Sequence, residues 1–185
     1  MNTVTIEEGT SVKAQGIQPP QAIRFQIADS AIGTVLTAAT GNGVCAILLG
    51  DDAQELQDDL ETRFPGAVLI AGDSDFKLLT ARVLRFVEGT DLNADFPLDV
   101  SGTDFQERVW RALRDIEPGS TASYKDVAET IGSPKSVRAV ARACAANPVA
   151  IAIPCHRVVR SDGGLSGYRW GIDRKRKLLD REAQR

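Results

Sequence analysis

Cys155 and His156 are adjacent, and His156 is the only histidine among 185 residues. They end an apolar run, Asn147-Pro148-Val149-Ala150-Ile151-Ala152-Ile153-Pro154, and are followed by Arg157-Val158-Val159-Arg160. Pro154 has a fixed φ and no N–H, so a β-prone stretch that stops there suits a buried strand or strap delivering the thiol to one place. A free cysteine is usually a small buried hydrophobe. Beside a base and two cations it becomes a candidate nucleophile, because positive charge favours thiolate over thiol. At an ordinary pKa of roughly 8.5, about 3% of a thiol is ionised at pH 7; lowering that value by about 1.5 units takes about 2 kcal/mol. His156, Arg157 and Arg160 are expected to supply it.

Pro154-Cys155-His156-Arg157-Val158-Val159, with Asn147 eight positions before the cysteine, resembles the active-site motif of the O6-alkylguanine-DNA alkyltransferases. The resemblance continues through Ser123-Tyr124, Pro134-Lys135-Ser136-Val137-Arg138-Ala139-Val140, Ala145-Ala146-Asn147, Leu165-Ser166-Gly167-Tyr168-Arg169-Trp170-Gly171 and Glu182. It covers about Phe96 to Glu182 well and the stretch from Ala22 more weakly. Over Arg157 to Gly171 the chain is most similar to the C-terminal half of the bacterial adaptive-response members.

The resemblance implies DNA repair by direct, single-turnover transfer of a methyl or larger alkyl group from O6 of guanine, and from O4 of thymine, to Cys155. His156 would act through a water as the base, Glu182 would orient His156, and Asn147 would hold the loop. Tyr124 would donate a proton to the leaving guanine. The partner would be double-stranded DNA containing O6-alkylguanine, met by a monomer that needs no cofactor and no metal. Guanine O6 lies inside the base stack, so the nucleotide must be rotated out, and Arg138 would fill the gap from the minor groove. Lys135, Arg142, Ser123 and Ala139 complete the expected DNA contacts. Tyr168, Trp170 and Val158 would wall the alkyl pocket. Members that accept benzyl groups carry a small residue where Trp170 stands, so methyl is the expected group here. Two other classes remain: a lesion binder without chemistry, which the presence of Cys155 argues against, and a cysteine hydrolase, which would turn over repeatedly. Product molecules per protein molecule separate the three as one, none or many.

The elements that must position these residues fall into two halves of opposite charge. Residues 1–97 carry 6 basic and 14 acidic side chains, and residues 98–185 carry 16 and 11. Between Ser133 and Arg160 stand Lys135, Arg138, Arg142, Arg157 and Arg160 with no acid, a local footprint for a polyanion. A hydrophobic content of 43% is enough for a packed core. No stretch reads as a membrane span or secretion signal, and three cysteines form neither a disulfide set nor a metal cluster, so a reducing, cytoplasmic setting is expected.

Residues 1–21 have no hydrophobic period and read as a flexible tail. Residues 22–95 read as a small α/β domain, ribonuclease H-like by the resemblance, with a linker over about Gly89 to Pro97. Ile23, Phe25 and Ile27 alternate as in a half-buried strand, and Gly33 to Thr40 and Val44 to Leu49 flank a Gly41-Asn42-Gly43 turn. An acidic helix follows from Asp51-Asp52 to about Phe64, then a strand near Val68 to Ala71. Next comes a helix from about Ser74 with Phe76, Leu79, Val83 and Phe86 on one face. Cys45 reads as core.

Residues 96–185 read as a mostly α domain that binds DNA and accepts the alkyl group. Thr103 and Gln106 make a capping box for a helix that Pro118-Gly119 should end. Ser123 and Asp126 start a second helix, ended by Gly132, and Ser133 with Pro134 is expected to start a third. The latter two make either a helix-turn-helix or an ordinary helical hairpin. At 100° per residue the third helix puts Val137, Val140, Ala141 and Cys144 on one face. Lys135, Arg138 and Arg142 fall on the other, flanked by Ala139, Ala143 and Ala146, which suits a nucleic-acid groove. Cys144 reads as structural. Ser161 to Gly167 reads as a turn or mobile segment, and Asp173 is expected to cap a last helix bearing Leu178, Leu179 and Glu182.

Overall fold

The computed structural model describes residues 21–91, 95–165 and 167–184. All of the expected tail except Gln21, residues 92–94 of the expected linker, and Ser166 lie outside the described residues. Strands β1 (Ala22–Ser30), β2 (Gly33–Ala39) and β3 (Val44–Gly50) form an antiparallel meander, and β4 (Val68–Ala71) joins β1 in parallel, giving the order β3-β2-β1-β4. Ile27 pairs with Leu36, and Leu36 with Leu48. Val44 to Leu49 of β3 are all buried, so this strand is covered on both faces, which is why it is uniformly apolar and not alternating. Helix α1 (Ala53–Arg63) is capped by Asp52, whose carboxylate accepts from the Gln54 and Glu55 amides at 2.8 and 2.9 Å. Helix α2 (Ser74–Glu88) is capped by Asp73. Its buried face is Phe76, Thr80, Val83 and Val87, with Leu79 and Phe86 only partly covered, so the stripe is turned slightly from the expected one.

The second half is built of short helices. Helix α3 (Asp104–Arg114) has the expected Thr103/Gln106 capping box but stops at Arg114, before Pro118-Gly119. The chain leaves the helix where the Ile116 carbonyl accepts from Arg157 Nη1 at 2.5 Å, a bond the sequence does not announce. Strand β5 (Ala122–Ser123) runs into α4 (Tyr124–Thr130), capped by the Ser123/Asp126 box. Helix α5 (Val137–Ala146) begins three residues later than expected. Ser133 does not cap it: its carbonyl accepts from the Ser136 amide at 2.9 Å, closing a turn with Pro134 at the second position. A proline's φ suits that turn position as well as a first helical turn. Lys135 therefore sits in the turn and not on the helix. The buried face of α5 is Val140, Ala143 and Cys144, so Ala143 is core, while Val137 is exposed and Ala141 half-buried. The Trp110 indole N–H donates to the Ala143 carbonyl at 2.9 Å and joins α3 to α5.

Residues 147–154 form a bent strap. The Ile47 amide donates to the Pro148 carbonyl and the Ala150 amide to the Ile47 carbonyl, both at 2.9 Å, so the strap covers the β3 edge. It then turns back at Ile151, where φ is 69°, and Ile153 bridges Ala150, so it is not one continuous strand. A single 3-10 turn, Cys155–Arg157, leads into β6 (Val158–Val159), which pairs in parallel with β5. Helix α6 (Ile172–Ala183) starts at Gly171, not at Asp173, which stands within its first turn without a side-chain cap bond. There the carboxylate faces the positive end of the helix dipole. Among the described residues no helix is long and apolar enough to cross a membrane.

Candidate active site

Cys155 is buried at the start of the 3-10 turn, and Asn147 fixes it there. Asn147 is itself fully buried. Its Oδ1 accepts from the Val149 amide at 3.0 Å, and its Nδ2 donates to the Ile153 carbonyl at 2.8 Å and to Cys155 Sγ at 3.3 Å. One amide side chain thus ties the end of α5, the bent strap and the thiol together. Burial pushes the Cys155 pKa up to about 11, against the Asn147 hydrogen bond and the charge of Lys175. Cys155 is therefore a thiol at neutral pH, contrary to the expectation of a thiolate favoured by Arg157 and Arg160. Both guanidiniums are engaged elsewhere: Arg157 grips Glu182, and exposed Arg160 pairs with Asp162 at 3.2 Å.

His156 is fully buried and points to α6. Its Nε2 lies 2.9 Å from Glu182 Oε1. Glu182 also accepts from Arg157 Nε at 3.0 Å and Nη2 at 2.9 Å, and from the Gly119 amide at 3.3 Å. Gly119 has φ 81°, and a Cβ there would lie 3.3 Å from the Glu182 carbonyl, so both the turn and the close approach call for glycine. Burial pushes the Glu182 pKa up, but the hydrogen bonds and charges of His156 and Arg157 outweigh it and hold the carboxyl at about 2. Burial also lowers the His156 pKa, with Glu182 opposing, so the imidazole is neutral at pH 7. An ionised carboxylate can only accept, so Nε2 must carry the hydrogen and Nδ1 must hold the free lone pair. Nδ1 is buried and has no protein partner among the described residues.

The parallel β5–β6 pair sets Ser123 beside Val159, so Tyr124, the first residue of α4, enters beside the chain that leaves the 3-10 turn. Tyr124, Ala141, Ala145, Gly167, Tyr168 and Arg169 line a cavity of about 430 Å³. Tyr168 is buried, and its pKa is raised by burial and then by neighbouring Cys155. Of the three residues expected as pocket walls, Tyr168 alone lines this cavity. Trp170 stands behind it, edge-on at 5.2 Å between ring centroids, on the wall of a separate cavity. Val158 is buried in β6 and contributes a carbonyl. Arg138 and Arg142 are exposed on α5, Lys135 is exposed in the preceding turn, Ala139 is half-buried, and Ser123 is consumed as the α4 cap.

Two residues with large parts in this geometry escape a reading by motif. Arg157 is the clamp that keeps Glu182 ionised, not a neighbour of the thiol. Lys175 is fully buried, donates from Nζ to the Val158 carbonyl at 2.5 Å, and is the cation that favours the Cys155 thiolate. Its sequence signal is its spacing: Lys175, Leu178 and Glu182 share one face of α6, so a lysine stands on the inward stripe.

The sequence profile of the family described as 6-O-methylguanine DNA methyltransferase, DNA binding domain, matches residues 104–184. The chain is 51% identical over 163 residues, 88% of its length, to the bifunctional transcriptional activator/DNA repair enzyme Ada of Escherichia coli, but spans only 46% of that longer protein. It is 39% identical over 163 residues to the methylated-DNA protein-cysteine methyltransferase of Mycobacterium bovis, covering 88% of this chain and 94% of the relative. A crystal structure of Mycobacterium tuberculosis OGT in complex with DNA superposes with a TM-score of 0.70 at 34% identity, over 88% of this chain and 93% of that one.

Proposed function

Because this chain belongs to the 6-O-methylguanine DNA methyltransferase family, we propose that it repairs DNA by moving the alkyl group of O6-alkylguanine, and of O4-alkylthymine, onto Cys155. The observation that carries this reading is the buried relay, in which Arg157 and Glu182 fix the His156 tautomer whose Nδ1 can take a proton while Asn147 holds the Cys155 thiol. His156 Nδ1 accepts the thiol proton through a water. Sγ attacks the alkyl carbon, the C–O6 bond breaks as the S–C bond forms, and Tyr124 delivers a proton to the departing guanine. The thioether does not hydrolyse, so each molecule acts once. Moving a proton from a thiol at about 11 to an imidazole whose pKa burial lowers is uphill. Lys175 and Asn147 reduce what would otherwise be a larger cost.

In this reading the protein works as a cytoplasmic monomer. Residues 22–95 form a ribonuclease H-like domain, and residues 96–185 bind DNA through the α4–α5 helix-turn-helix. Arg138 enters the stack, and Lys135, Arg142, Ser123 and Ala139 lie along the backbone. Incubation with O6-methylguanine duplex followed by intact-mass spectrometry tests the whole reading: one added methyl per molecule supports it, and none, or continuing release of product, refutes it.

Arg138 is exposed and can leave α5 without disturbing its core face. Arg138→Ala is expected to lower repair of duplex DNA by on the order of tenfold while reaction with free O6-methylguanine is nearly unchanged, because only the duplex incurs an unstacking cost of a few kcal/mol. Equal losses on both substrates would remove the flipping role.

Trp170 bears on alkyl size through the Tyr168 ring it supports. Trp170→Gly is expected to raise the rate with O6-benzylguanine relative to methyl, since Tyr168 can then retreat from the cavity. The loss of a buried indole should destabilise the fold by about 3–5 kcal/mol. Rates per folded molecule, alongside a melting curve, check this; a benzyl rate that stays low in the folded variant takes Trp170 out of substrate selection.

A further inference from the structure

Besides the β3 edge that holds the strap, the first half of the chain reaches the rim of the proposed alkyl cavity through α1. In α1, Asp59 and Arg63 are one turn apart, with Arg63 Nε donating to Asp59 Oδ2 at 3.1 Å. The other oxygen, Asp59 Oδ1, accepts from Arg169, 110 residues further on. Arg63 Nη1 also donates to the Ala146 carbonyl, the last residue of α5, at 3.4 Å. The cavity walls include Ala145 on one side and Gly167, Tyr168 and Arg169 on the other. Ala146 precedes Asn147, whose amide holds Cys155 Sγ. A single carboxylate therefore bridges the two rims, through Arg63 to the end of α5 and directly to Arg169.

Exposed ion pairs contribute little. This one is different in position: the Arg63 and Asp59 side chains are only 13% and 22% exposed. A carboxylate between two guanidiniums cancels their repulsion, and removing it leaves one cation enclosed without its partner. Resting on the function proposed above, we propose that Asp59 is a positioning residue for alkyl transfer, its shared carboxylate holding Arg169 and the end of α5 at the separation that admits the modified base. Asp59 touches neither the base nor the thiol. It acts through Arg63 and Arg169, and its loss misplaces the wall against which the base is aligned. Misplacement of about 1 Å can cost up to about a hundredfold in rate.

The test is single-turnover methyl transfer from an O6-methylguanine duplex, separating the saturating rate from the half-saturating concentration, with melting curves to correct for the folded fraction. Asp59→Asn and Arg169→Gln are each expected to lower the saturating rate by on the order of tenfold. The double variant should be no slower than Asp59→Asn alone, since that change already breaks the link to Arg169, and Asp59→Glu should recover most of the rate. Saturating rates within about twofold of wild type in the folded variants, or losses that multiply in the double variant, overturn the proposal. Should Asp59→Asn fail to fold, Arg169→Gln, whose side chain is 40% exposed, decides alone by the same limits. A wild-type protein that transfers no methyl would instead overturn the proposed function, and this inference with it.

Discussion

Cys155→Ser is expected to leave no detectable methyl transfer while duplex binding stays within about twofold of wild type. The serine hydroxyl fits the site and can still accept from Asn147 Nδ2, so the strap should keep its shape. Its pKa lies far above that of a thiol, and His156 Nδ1 is too weak a base to draw its proton. The exposed Arg138, Arg142 and Lys135 lie away from this buried atom, and the electrostatic part of binding should persist. The other thiols are poor substitutes. Cys45 is pushed up to about 12 by burial and Asp99, and Cys144 is raised still further, chiefly by burial. Among the described residues, of the three cysteines only Cys155 receives a side-chain hydrogen bond, from Asn147. Peptide mapping after reaction places the methyl; finding it on Cys45 or Cys144, or full activity in the serine variant, would contradict the assignment.

The candidate acceptor was more legible in the sequence than its chemistry. A lone histidine beside a cysteine, with Asn147 eight residues earlier, is a local pattern, and the strap keeps those residues together. The acidity of the thiol is not local. Adjacency suggested that Arg157 would stabilise the thiolate, but its side chain points to Glu182, 25 residues away, and the cation that does favour the thiolate is Lys175 on α6. The four-stranded sheet was legible because alternation, an all-apolar run and a Gly-Asn-Gly turn each have one reading. Helix starts at Ser133 and Asp173 were not, because the same residues serve other ends: Ser133-Pro134 closes a turn and Asp173 answers a helix dipole. The link from Asp59 to Arg169 spans 110 positions and leaves no periodic trace.

Glu182→Gln should lower the transfer rate at pH 7 by about 10²–10⁴-fold, the range of a lost general base. A carboxylate only accepts, so it forces the His156 proton onto Nε2. A carboxamide can instead donate, moving the proton to Nδ1 and closing the lone pair proposed to take the thiol proton. The pH profile separates this cause from general damage. In the wild type, neutral imidazole with neutral thiol is the active form, so the rate should be flat from about pH 7 to about 10 and fall only in the acid range where His156, its pKa lowered by burial, takes up a proton. In the variant the thiolate must form by itself, so the rate should rise about tenfold per pH unit toward the Cys155 pKa near 11. Stability should change as well. Glu182 titrates lower in the folded chain, at about 2 against 4.5, so the unfolded chain binds its proton first as pH falls. Its stabilisation, on the order of 3 kcal/mol, is therefore present above pH 4.5 and lost between 4.5 and about 2, a loss the Gln variant should lack. Rates per folded molecule across pH 5–10 decide the matter, for a variant profile parallel to that of the wild type would mean that Glu182 supports the fold without setting the histidine tautomer.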